Sequence, residues 1–96
     1  MKTLTLIDYI ENKQATDVDF SEHYIREQTI NNIAEMIVAA RRKAHLTQAG
    51  LANKVGTKLS VISRIESGNS HFIPSIETLV RIAGALYMKL KLQLQP

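Results

Sequence analysis

The spacing of apolar residues divides this chain into segments of different kinds. Between Thr3 and Gln14, Leu4, Ile7, Tyr9 and Ile10 recur at helical intervals, with Leu6 beside them. An isolated helix of that length is marginal in water. Ala15–Asp19 reads as a break, after which Asp19 or Ser21 can cap a second helix. No Gly or Pro interrupts residues 21–44. Within them Tyr24, Ile25, Ile30, Ile33, Met36, Ile37 and Ala40 form an apolar stripe of helical period. The stripe fits one long helix, or two that meet near Thr29–Asn32. His45 ends it: a helix exit takes a left-handed residue, and His tolerates that conformation.

Thr47 caps the next helix, Gln48 to about Val55, with Leu51, Ala52 and Val55 facing inward. Ala52 is small where two helices have to cross. Gly50 costs about 1 kcal/mol relative to Ala inside a helix, and is either neutral or a point of close backbone approach. Gly56 makes a tight turn. Thr57 or Lys58 then opens a helix whose Ile62 and Ile65 face the core, leaving Leu59, Ser60, Ser63 and Arg64 outside. Ser67–Ile73 reads as a loop. After Pro74, Ser75 caps a helix carrying Ile76, Leu79, Val80, Ile82, Ala83 and Leu86.

At the end the period changes from helical to two. Leu86, Met88, Leu90, Leu92 and Leu94 alternate with Tyr87, Lys89, Lys91, Gln93 and Gln95, the pattern of a strand with one buried face. No second strand pattern exists, so this strand needs another chain. It can pair with its own copy, through Met88, Leu90, Leu92 and Leu94, or join the edge of a partner's sheet. The remaining alternative is that the last helix simply runs on. The expected architecture is thus mainly α: an N-terminal helical arm (1–30), a helical bundle (31–86) and a short C-terminal β-strand (87–96).

With 96 residues, the chain is one domain with an arm and is small for an enzyme. It has no cysteine, which suits a reducing cytosol and excludes Cys-based zinc sites. No apolar run reaches membrane-spanning length, and Asp8 interrupts the N-terminal one, so no membrane partner or signal peptide is expected. The net charge of +3 is unevenly spread. Residues 1–35 hold seven acids and three bases, net −4; residues 36–96 hold nine bases and two acids, net +7. Such a division implies two partners of opposite sign, or chance drift in a short chain. No catalytic grouping, phosphate loop or metal spacing is legible around His23, His45 or His71, so no enzyme activity, cofactor or metal is expected.

The two short helices around Gly56, the second with a polar and partly basic outer face, have the layout of a helix-turn-helix. The second helix of that motif lies in the DNA major groove. Double-stranded DNA is therefore the first expected partner. Arg64 and Lys58 are the expected base readers, for example Arg to guanine O6 and N7. Ser60, Ser63 and Thr47 line the same face. Exposed Leu59 fits a thymine methyl or an ordinary scattered surface residue. Arg42 and Lys43 are free for phosphates, Lys54 and Lys58 can equally serve as backbone contacts, and His45 has a phosphate contact as its second reading.

Leu46–Gly68, 23 residues without a gap, closely resembles the repressors of lambdoid phages and the XRE-type bacterial regulators. Pro74–Ala83 resembles the segment that follows the recognition helix there. The resemblance implies a lambda-repressor-like bundle, a phosphate contact by Gln48, and a partly buried ion pair between Arg41 and Glu66. The acidic arm and the short C-terminal extension resemble HigA-type antitoxins in layout, with Asp19–Tyr24 suggestive. This resemblance implies a homodimeric, cytoplasmic repressor of its own operon that also neutralises a RelE-fold (HigB-like) ribonuclease toxin. Tyr9, Phe20, Tyr24 and Ile25 are then the expected toxin anchors, unless the arm packs on its own helix-turn-helix core. A stand-alone regulator without a toxin is the alternative.

Overall fold

The computed structural model of the protein describes residues 18–69 and 71–95, with side chains from residue 22 onward. Among the described residues four helices follow in order: α1 Val18–Lys43, α2 Gln48–Val55, α3 Leu59–Ser67 and α4 Ile76–Ala85. The expected helix at Thr3–Gln14, Tyr9 and the side chain of Phe20 lie outside the described residues.

Of the two arrangements open for residues 21–44, the single helix is found. α1 is continuous for 26 residues, so the boundary expected at residue 30 falls inside it. Asp19 and Ser21 are not caps; both lie within α1. The two ends of α1 differ. Ile30, Ala34 and Ile37 are buried in the bundle, while residues 22–29 contribute exposed or half-buried side chains only. The core is completed by Leu51 and Ala52 of α2, Ile62 and Ile65 of α3, and Leu79, Ile82 and Leu86 at α4. Leu51, Ile62 and Ile82 are almost fully enclosed. Ala52 is buried where α2 meets its neighbours, as its size requires.

Three helices stop by the same device. At the end of α1, His45 takes a left-handed backbone (φ 59°). Its N–H donates to the Arg42 carbonyl, and that of Leu46 to the Arg41 carbonyl. This is the Schellman closure, which satisfies the last carbonyls of a helix. Gly56 does the same for α2 at φ 83°, with the Thr57 N–H reaching back to the Ala52 carbonyl. Tyr87 does it for α4 at φ 57°, with the Met88 N–H on the Ala83 carbonyl. Only the first two exits were expected.

The Tyr87 exit corrects the reading of the C-terminus. Leu86 is the C-cap of α4 and is buried in the protomer's own core, not on a strand. Among the described residues there is no strand. Leu90 folds back against the core, whereas Met88, Leu92 and Leu94 are exposed. The physical reason is that alternation supplies a strand's side chains but not its hydrogen bonds. One chain with a single such segment has no edge for it to join. No helix among the described residues is long and apolar enough to cross a membrane.

Candidate nucleic-acid interface

The motif begins at Thr47, whose Oγ accepts a hydrogen bond from the Gly50 N–H at 2.9 Å. That cap explains why glycine is tolerated at position 50. A Cβ on Gly50 would lie 3.2 Å from the cap oxygen and crowd it. The exposed helix start is thus held by the side chain expected to hold it. α3 starts less well. Lys58 occupies its N-cap position and makes no side-chain cap. The recognition helix therefore presents open N–H groups beside a lysine, an arrangement that suits an anion.

α3 is kept in place at its other end. Arg41 donates from Nε to one Glu66 oxygen at 2.7 Å and from Nη2 to the other at 3.0 Å. This two-pronged pair is the geometry that fits a guanidinium to a carboxylate. The side chains of Arg41 and Glu66 are only 13 % and 4 % exposed. Arg41 also donates to the Leu46 carbonyl at 2.8 Å, tying the pair to the Schellman turn. The hydrogen bonds to Glu66 raise the Arg41 pKa above its ordinary value, so the guanidinium stays charged. One carboxylate thus joins the end of α1, the start of α2 and the end of α3.

Gln48 belongs to this clamp. Its Nε2 donates to Glu66 at 3.0 Å, so the expected phosphate ligand is engaged inside the protein. Nothing in the spacing of positions 48 and 66 signals that contact. Phe72 is a second residue that sequence reasoning missed. The Arg64 guanidinium carbon lies 5.9 Å from the centre of its ring, within cation–π range. The expected base reader is thus packed against an aromatic side chain in the following loop. Gly68 closes α3 at φ 69°, and a Cβ there would strike the Asn31 amide of α1 at 2.8 Å.

Lys58, Leu59, Ser60, Ser63 and Arg64 are all exposed, together with Arg42, Lys43 and Thr47. Leu59 is 49 % exposed, too open to serve the core. Lys54 stands over the Tyr87 ring at 5.5 Å. Tyr24 and Ile25 are half-buried on the first part of α1. Among the described residues no group of His, Cys, Asp or Glu could hold a metal ion.

A family model described as helix-turn-helix matches residues 37–87, just over half of the 96-residue chain. Its limits run from the buried Ile37 of α1 to the left-handed Tyr87, and so enclose the clamp, the motif and α4. No curated protein and no solved structure matches the chain.

Proposed function

Since the chain belongs to the XRE-type helix-turn-helix family of DNA-binding transcription regulators, we propose that it is a sequence-specific repressor and the antitoxin of a type II toxin–antitoxin pair. One observation carries the first half. Glu66 fixes α3 against two other helices while the opposite face of α3, with Lys58, Ser60, Ser63 and Arg64, stays exposed and cationic. A groove-reading helix needs that combination of rigid seat and free polar face. Arg42 and Lys43, in the last turn of α1, supply phosphate contacts. Two such helices about 34 Å apart read a two-fold operator, so the repressor acts as a homodimer.

The antitoxin reading is supported by the first part of α1. It carries Glu22 and Glu27, buries none of its described side chains, and sets Tyr24 and Ile25 half-exposed beside them. Aromatic anchors within an acidic surface suit a basic partner, since anchors supply affinity and charge supplies encounter rate. The partner is a small basic ribonuclease of the RelE fold.

The test of the repressor is binding to its own promoter against random DNA, across a salt series. The affinity should fall linearly on a logarithmic scale as phosphate contacts are screened. Equal affinity for both DNAs at low salt overturns the reading. The test of the antitoxin is deletion of residues 1–20 beside the co-expressed basic protein encoded next to it. Undiminished neutralisation removes the arm as the antitoxin surface; no neutralisation by the full chain leaves a stand-alone regulator.

A further inference from the structure

The face of α4 turned away from the core has no occupant among the described residues. Ile76 and Val80 lie on it one turn apart, 60 % and 52 % exposed, and Ile73 from the preceding loop is 52 % exposed. Gly84 continues the row one turn later, and a Cβ there would meet nothing within 4 Å. Residues four apart share one helix face, so these positions form an apolar ridge that ends in a gap. Scattered exposed apolar residues are ordinary; a contiguous row marks an interaction surface. Glu77 and Arg81 flank the ridge on one side. They stand four residues apart, yet no ion pair joins them.

We propose that this ridge is the homodimer interface and that its occupant is α4 of a second copy, running antiparallel. The inference rests on the dimeric-repressor reading and names the surface that reading lacks. In an antiparallel helix pair each flank meets the same flank of its mate. A two-fold axis at the level of residue 79 then sets Glu77 opposite Arg81 of the partner subunit, and Arg81 opposite Glu77 of the partner subunit. The ridge therefore complements its own two-fold image, as an isologous contact requires. Ile73 and Ile76 come to stand over Gly84 of the partner subunit, where the missing side chain gives them room. Both charges of the flank find partners that the described residues of one chain do not offer.

Sedimentation equilibrium of the full chain without DNA tests this. The wild type should be a dimer at micromolar concentration. Val80→Glu and Gly84→Leu, both on the exposed face, should each raise the dimer dissociation constant by about tenfold or more. Their helical circular dichroism should be unchanged. Glu77→Arg should weaken the dimer, and adding Arg81→Glu should restore it. Leu92→Glu combined with Leu94→Glu should leave the dimer intact. A monomeric wild type overturns both the interface and the dimeric-repressor reading. A dimer that survives Val80→Glu and Gly84→Leu, a charge reversal that is not rescued, or a dimer lost through the two tail changes overturns the interface alone.

Discussion

The recognition helix and the C-terminal tail carry equally regular apolar patterns, and only one of them becomes an element of secondary structure in the single chain. In α3, Ile62 and Ile65 recur on one side and meet Leu51, Leu79 and Ile82 from neighbouring helices. In the tail, Met88, Leu90, Leu92 and Leu94 recur on one side, and Leu90 alone folds onto the core. The difference lies in the backbone. A helix satisfies its N–H and C=O groups internally, so a stripe of side chains is enough to place it. A strand leaves the same groups for a neighbour, and no periodicity in its own side chains can supply one. Periodicity is a sufficient guide for the first kind of element and half a guide for the second.

The clamp should show the largest effect, because it makes α3 part of the frame. Arg41→Ala and Glu66→Ala should each destabilise the fold by about 3–5 kcal/mol, the cost of stranding one buried charge. The double variant should lose less than the sum of the two, as coupled residues do. Denaturant midpoints measure this, and strictly additive losses would show that the pair contributes nothing jointly. Leu86 and Leu94 sharpen the comparison next, being members of the same alternating row. Leu86→Ala should cost about 2–5 kcal/mol as a core truncation. Leu94→Ala, at a fully exposed position, should stay within about 0.5 kcal/mol. Equal losses would mean the row acts as one unit after all.

On the DNA side, Arg64→Ala should weaken operator binding by about 1–3 kcal/mol and relax the preference at one base position. Binding titrations against single-base operator variants read this out. A uniform loss across all variants would make Arg64 a phosphate ligand. The smallest effects belong to the helix starts. Thr47→Ala should cost about 1 kcal/mol by removing the α2 cap, and Lys58→Ser should gain a comparable amount by supplying the missing α3 cap. The second change should nonetheless weaken DNA binding, because a cation leaves the groove-facing end. Stability and affinity measured on the same variant separate the two roles.

Where the chain is locally determined, its sequence is legible. Thr47, Gly56 and Ser75 punctuate the helices because caps and turns depend on residues within one turn. The outward face of α3 follows from helical period once Ile62 and Ile65 are placed inside. The Arg41–Glu66 pair is visible only through resemblance to repressors, since 25 residues separate its members. Gln48 in the clamp and Phe72 beneath Arg64 leave no pattern at all: each is one side chain meeting another across a loop. Tyr87 hides the end of α4, because the left-handed exit is made by a residue that rarely adopts it. The sequence pattern groups Ile76 and Val80 with Leu79 and Ile82 as one apolar set, although the helix divides them between two faces.

The division of α3 into a locked side and an open side bears on how such a protein can change its target. Glu66, Ile62 and Ile65 hold the helix and touch no solvent-facing reading position. Lys58, Ser60, Ser63 and Arg64 point outward and bury nothing that the fold depends on. Substitutions of this sort alter stability by about 0.5 kcal/mol at most at Ser60, Ser63 and Arg64 and by about 1 kcal/mol at the cap position Lys58, whereas a single lost base contact alters DNA affinity by about 1–3 kcal/mol. A lineage carrying this frame can therefore drift from one operator to another through four positions without passing through an unfolded ancestor. The carboxylate that pins the helix makes the code above it free to be rewritten.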